Sequence, residues 1–321
     1  MKRAIKILSF VILLTLLVTV IAIVWFIPNY TIRINSKFNN IFLTDHSSDK
    51  LLKPEDFGIP KSSVEYFSTH TPDGLKISAL RVLHEDSADR RGAIIFLHGI
   101  RRSKECSFPM ASFFSKKGYD CYAMDLRSHG ESSGEYITYG ESEHDDLSSF
   151  IDYISENFGL EERVILWGQS LGAAVAFLTA EYDSRVDVLI SESTYSEFER
   201  SVGDFFSFFT GFNSPFIERI IVKRISSIAK FRPDDISPLN AAKNIDIPVM
   251  IVHGHKDNKI SPVNAYELFY GLLSGNKRFL ILPDASHLDV WDKGGNEYFA
   301  EVEKFLNTKL NGKKQPFSLR P

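Results

Sequence analysis

From Val64 to Asn307 short apolar runs alternate with stretches of helical periodicity, and this alternation limits the folds open to the chain more than any other feature. The runs are Val64–Phe67, Leu75–His84, Ala93–Leu97, Tyr119–Asp125, Val164–Trp167, Val186–Ile190, Val249–Val252 and Arg278–Leu282. The first two read as a hairpin around the turn Thr71-Pro72-Asp73-Gly74. From Ala93 onward each run is short and mostly apolar, as suits a strand buried on both faces. Helical patterns fall between them over Glu105–Lys117, Glu141–Phe158, Leu171–Glu181, Pro262–Leu273 and Glu297–Asn307. The expected class is therefore α/β, a mostly parallel eight-stranded sheet with helices on both faces.

One interval is too long for a simple crossover. Between Ile190 and Val249 lie Phe198, Phe205, Phe206, Phe208, Phe209, Phe212 and Phe216. Phe205, Phe208, Phe209, Phe212 and Phe216 keep to one face of a helix bent or broken near Gly211 and Pro215. A second amphipathic set follows, Ile217, Ile220, Ile221, Arg224, Ile225 and Ile228. The pattern predicts an inserted helical cap over about residues 193–240. Its aromatic residues, Phe205, Phe209 and Phe212 foremost, are open to two readings: packing of the cap, or contact with an acyl or aromatic substrate.

The N-terminus is of another kind. Residues 7–27 carry no charge, follow Lys2, Arg3 and Lys6, and end beside Trp25 and Tyr30. At about 1.5 Å per residue such a run crosses the roughly 30 Å core of a bilayer. The basic flank places the N-terminus inside and the rest of the chain on the extracytoplasmic side. Residues 1–27 are read as a single-pass signal anchor, 28–62 as an irregular tether, 63–308 as one domain and 309–321 as a solvated tail. The competing reading is a secreted protein whose signal is cleaved near Val20-Ile21-Ala22.

Charge and composition exclude several classes. The whole chain carries −4; without residues 1–27, 34 Lys and Arg face 41 Asp and Glu, a net −7 that gives nucleic acid nothing to hold. Two cysteines, Cys106 and Cys121, make neither a disulfide framework nor an all-cysteine metal site. His98, His129, His144, His253 and His255 could suggest a metal site, but no metal is expected. The sequence leaves the oligomeric state open.

The chemistry is concentrated in Gly168-Gln169-Ser170-Leu171-Gly172. Alone this G-x-S-x-G pattern is weak, but the apolar run Val164–Trp167 leads into it and the helix-forming Ala173–Leu178 leads out. A sharp strand-to-helix turn strains the serine backbone and lifts its hydroxyl from the sheet, while glycines avoid collisions beside it. A serine hydroxyl becomes a nucleophile with a base and a group orienting that base. Asp257 follows the run Val249–Val252, and His287 follows Arg278–Leu282, so the order is Ser, acid, His on loops at the carboxyl edge of the sheet. Asp284 and Asp289, flanking His287, are rival acids.

With His98-Gly99-Ile100 after the third strand and Asp125-Leu126-Arg127-Ser128-His129-Gly130 after the fourth, the chain over about residues 64–307 resembles the alpha/beta-hydrolases. It is most similar to their monoglyceride-lipase-like and serine-aminopeptidase-like branches. Arg101-Arg102 stands where the family usually has a glycine-rich stretch, and reads either as a solvated loop or as a site for an acidic head group. The resemblance implies Ser170 as nucleophile, His287 as base and Asp257 as its orienting acid. It implies an oxyanion hole from the backbone N–H groups of Ile100 and Leu171, and no cofactor. The expected function is a membrane-anchored hydrolase of carboxylic esters or thioesters, including lipid monoesters. Amide or peptide hydrolysis by the same residues is the closest rival, and a non-catalytic binding protein on this fold is the alternative of another class.

Overall fold

The computed structural model describes residues 2–35, 52–84, 90–160 and 163–310. Residues 36–51 of the expected tether and 311–321 of the expected tail lie outside them. The strands are β1 (Val64–His70), β2 (Lys76–Val82), β3 (Gly92–Leu97), β4 (Tyr119–Met124), β5 (Val164–Gln169), β6 (Val186–Glu192), β7 (Val249–Gly254) and β8 (Lys277–Leu282). They form one eight-stranded sheet in the order β1-β2-β4-β3-β5-β6-β7-β8. β1 and β2 are the antiparallel hairpin, with Val64 opposite Val82, and β2 runs antiparallel to β4. All later pairings are parallel. β3 pairs with both β4 and β5, so the chain changes direction across the sheet there, and the crevice opens at the carboxyl ends of β3 and β5.

The helices in chain order are α1 (Lys2–Ile21), α2 (Ile27–Ile32), α3 (Phe108–Phe114), α4 (Glu143–Phe158), α5 (Leu171–Tyr182), α6 (Phe198–Thr210), α7 (Pro215–Ala229), α8 (Pro238–Ala242), α9 (Val263–Gly271) and α10 (Val290–Leu310). Alternating side chains of the central strands enter two cores. Ala93, Ile95 and Leu97 of β3 join Leu166 and the residues of α4 and α5 on one face. Ile94 and Phe96 join Ile165, Trp167, Phe108, Phe114 and the residues of α10 on the other. Burial on both faces explains why the central strands read as unbroken apolar runs.

Three differences from the sequence reading have physical causes. The expected helix Glu105–Lys117 is a seven-residue α3 between 3₁₀ turns, with Pro109 in its first turn and Gly118, at φ 87°, ending the second. In the cap, Gly211 (φ 77°) ends α6 and Pro215 starts α7, but the expected phenylalanine face does not all turn inward. Phe198, Phe206 and Phe231 are the buried ones, while Phe209 and Phe216 are each about three-quarters exposed (75% and 74%) and Phe212 is exposed too. Within α6 the buried side carries Phe198, Ser201 and Phe206, so Phe208 and Phe209 already face outward, and Gly211 then breaks the helical phase for the residues beyond it. Finally, the stretch read as a tether opens as packed structure. α1 runs through a π-helical turn, Ala22–Phe26, into α2, where Pro28 has no N–H to give the preceding turn. Pro28, Ile32 and Ile34 are buried, Ile137 N–H donates to Ile32 O, and Arg33 pairs with Glu135.

Candidate active site

β5 ends at Gln169, α5 begins at Leu171, and Ser170 between them takes φ 52° and ψ −116°, a backbone that side chains rarely adopt. The turn is this tight because both glycines are in contact with backbone. A Cβ on Gly172 would lie 2.2 Å from Leu97 O, and one on Gly168 would lie 2.4 Å from Ala173. Ser170 N–H donates to Glu192 O at the end of β6, which fixes the turn against the next strand.

Loops after β7 and β8 bring the other two side chains to this serine. His287 Nε2 lies 3.0 Å from Ser170 Oγ, and His287 Nδ1 lies 2.7 Å from Asp257 Oδ2. All three residues are buried. Asp257 Oδ1 accepts from the N–H groups of Lys259 and Ile260. Burial works against its charge, but hydrogen bonds from His253 and His287 outweigh it and hold the carboxyl well below the usual carboxylate range.

Beside the serine runs His98-Gly99-Ile100, so close that a Cβ on Gly99 would lie 3.3 Å from Ser170 Cβ. His98 and His129 secure this loop rather than bind a ligand. His98 Nδ1–H donates to Gly99 O and its Nε2 accepts from Leu126 N–H. Burial pushes His98 down to about 4 and His129 to about 3, so both are neutral scaffolding. Among the described residues no cluster of His, Cys, Asp and Glu could hold a metal ion. Leu171, as the first residue of α5, has an N–H with no partner inside its helix.

A family model described as serine aminopeptidase, S33, matches residues 88–235, which include Ser170 and stop short of Asp257 and His287. Protein bem46 of Schizosaccharomyces pombe is 25% identical over 263 residues, covering 81% of both chains. An esterase of Pyrococcus furiosus superposes with a TM-score of 0.66 at 23% identity, over 80% of this chain and 94% of its own. A bacterial membrane phospholipase A superposes with a TM-score of 0.58 at 15% identity, over 97% of this chain and 100% of its own. The chain has the alpha/beta-hydrolase fold and is similar to these proteins over most of its length. Hydrolysis is the class of chemistry these matches support.

The rival acids are occupied elsewhere. Asp284 is exposed on Lys256, and Asp289 accepts from the Ser286 N–H. Of the three cap phenylalanines singled out in the sequence, Phe205 stands beside His287, its ring edge-on at 6.4 Å between centroids. Phe209 and Phe212 are exposed beyond it. Arg101 is partly buried: its guanidinium lies 4.1 Å over the Tyr30 ring and donates to Tyr30 O. Two residues escaped the sequence reading. His253, fully buried, places Nε2 3.2 Å from Asp257 Oδ2. Glu192, buried beneath the serine turn, accepts from Trp167 Nε1 and Tyr298 O–H, and burial raises it to about 7. A histidine ending an apolar run and a glutamate closing another were the only signals for them.

Proposed function

We propose that this protein hydrolyses carboxylic esters or thioesters through Ser170, His287 and Asp257 while held at a membrane by residues 7–27. The observation that carries the reading is the unbroken hydrogen-bonded line from Asp257 through His287 to Ser170 Oγ. Ser170 Oγ would attack the acyl carbon as His287 Nε2 takes its proton. The oxyanion that forms would be held by the N–H groups of Ile100 and Leu171, each worth roughly 3–4 kcal/mol at such a transition state. Collapse expels the alcohol or thiol with the proton from His287 and leaves an acyl-serine. Water, deprotonated by His287, then releases the acid and restores Ser170. Asp257 would keep the imidazole in the tautomer that accepts at Nε2.

Phe205 beside His287 supports an apolar acyl group, and the esterase and phospholipase A neighbours are named for ester substrates. Helix α1, exposed along its whole length and apolar beyond Lys6, is long enough to cross a bilayer and supports the anchor, while Lys2, Arg3 and Lys6 support placing the domain on the extracytoplasmic side. Amide or peptide hydrolysis is the second reading, favoured by the aminopeptidase description of the family model.

A fluorophosphonate probe should label the wild type and fail on Ser170→Ala, whose ester hydrolysis should fall by about 10⁴-fold or more. A folded wild type that stays unlabelled would sink the reading. Across p-nitrophenyl esters of increasing chain length, medium chains should be preferred. A maximum at acetyl would remove the lipid substrate, and faster turnover of aminoacyl anilides would favour the amide reading. A mature N-terminus near Ile23 would replace the anchor by a cleaved signal.

A further inference from the structure

We propose that the helix emerging from the apolar N-terminal segment positions the oxyanion turn, through a clamp of Tyr30 on Arg101. The inference rests on the serine-hydrolase reading and adds to it a part of the chain outside the hydrolase domain.

The turn is Gly99-Ile100-Arg101-Arg102, closed by Arg102 N–H donating to Gly99 O at 3.1 Å. Its third residue, Arg101, has φ 65°, where turns of this kind take glycine. An arginine in that conformation needs something to hold it, because a left-handed backbone disfavours any residue with a Cβ. The holding contacts come from α2: the guanidinium donates to Tyr30 O at 2.9 Å and covers the Tyr30 ring at 4.1 Å. Among the described residues no carboxylate pairs with Arg101, and its Nε is buried without a partner, so these two contacts are what fixes it.

The residues that follow Tyr30 are tied to the domain. Tyr139 O–H donates to Thr31 O, Ile137 N–H donates to Ile32 O, and Arg33 is tied to Glu135 and Tyr136. The same stretch is continuous with α1 through the π-helical turn. A rigid path therefore runs from the candidate membrane helix through Tyr30 and Arg101 to Ile100, whose N–H would hold the oxyanion. Arg101 is a positioning residue in this scheme, since it would act through Ile100 and touch no reacting atom.

The test uses full-length protein in detergent micelles and a short, water-soluble p-nitrophenyl ester. Arg101→Gly is the decisive variant, because glycine accepts the left-handed backbone while deleting the clamp. The expected result is a fall in kcat of about tenfold with KM changed less than twofold. Affinity for a trifluoromethyl ketone, which forms a tetrahedral oxyanion on serine, should fall by a similar factor. Arg101→Lys should restore part of the loss. Tyr30→Leu, which keeps the apolar packing and removes the ring, should lower kcat severalfold, and it serves as the test if Arg101→Gly does not fold. Wild-type kcat in Arg101→Gly, or in Tyr30→Leu in its place, overturns the clamp, as does a rise in KM at unchanged kcat. Failure of the wild type itself to take the fluorophosphonate would instead defeat the hydrolase reading.

Discussion

At Asp257 a single carboxylate oxygen lies within reach of two histidines, His287 at 2.7 Å and His253 at 3.2 Å. Its depressed acidity decides how pH acts on it. The stabilisation from its charge is complete above the unfolded value near 4 and is lost only as pH falls through the lower folded value, so it is constant across the neutral range. Asp257→Asn should lower kcat by about 10⁴-fold, because an amide can present its NH₂ to His287 and hold the wrong tautomer. Asp284→Asn should stay within twofold of wild type, since Asp284 is exposed and paired with Lys256. Equal losses in the two variants would show that Asp257 has no special role. Glu192 titrates in the opposite sense. Burial raises its carboxyl to about 7, so the folded state favours the neutral acid. The penalty for ionising it is absent below the unfolded value near 4.5, grows as pH rises, and is complete above 7, on the order of 3 kcal/mol. The thermal midpoint of the wild type should therefore drop between pH 5 and 8, and that of Glu192→Gln should drop much less. A pair of identical pH profiles would exclude Glu192 as the source.

The strand–turn–helix from Val164 to Tyr182 is legible in full in the sequence, because its demands are local. An apolar run, two glycines around a serine and a helix-forming sequence leave few other conformations. The glycines can be tested as contacts: Gly172→Ala would drive a methyl group into Leu97 O, and Gly168→Ala into Ala173. Either should destabilise the domain by about 3 kcal/mol or leave it insoluble, since both neighbours are backbone and cannot rotate away. A midpoint within about 1 °C of wild type would mean the turn is looser than its geometry implies. The cap was legible only as helices. Periodicity located α6 and α7, but which phenylalanines turn inward depends on the angle at Gly211 and on the surfaces beneath, and those are distant in sequence. Phe206 and Phe231 pack, Phe205 reaches His287, and Phe209 and Phe216 face outward.

For the molecule as a whole, the surprise is the join between N-terminal helix and hydrolase domain. A polar, irregular stretch after Pro28 reads as a tether, yet Pro28, Ile32 and Ile34 are buried against the domain. Burying a side chain of this size contributes roughly 1.5–3 kcal/mol, so the join is worth several kcal/mol. Deleting residues 2–21 should therefore leave the thermal midpoint of the domain nearly unchanged in detergent. Deleting residues 2–35 should lower it by several degrees. If both truncations melt together, the packing of α2 contributes nothing to stability.

The sequence alone determined the alternating sheet, the strained serine turn and the apolar helix at the N-terminus, because each is written in neighbouring residues or in chain order. Only the tertiary structure decided that Asp257 rather than Asp284 or Asp289 meets His287, that His253 and Glu192 lie behind the site, and that Arg101 leaves solvent to grip Tyr30. Apart from His253, four positions from Asp257, those are contacts between residues 25 to more than 100 positions apart, or choices among near neighbours, and spacing along the chain carries no record of them. They are settled by which surfaces the packed sheet and helices bring together.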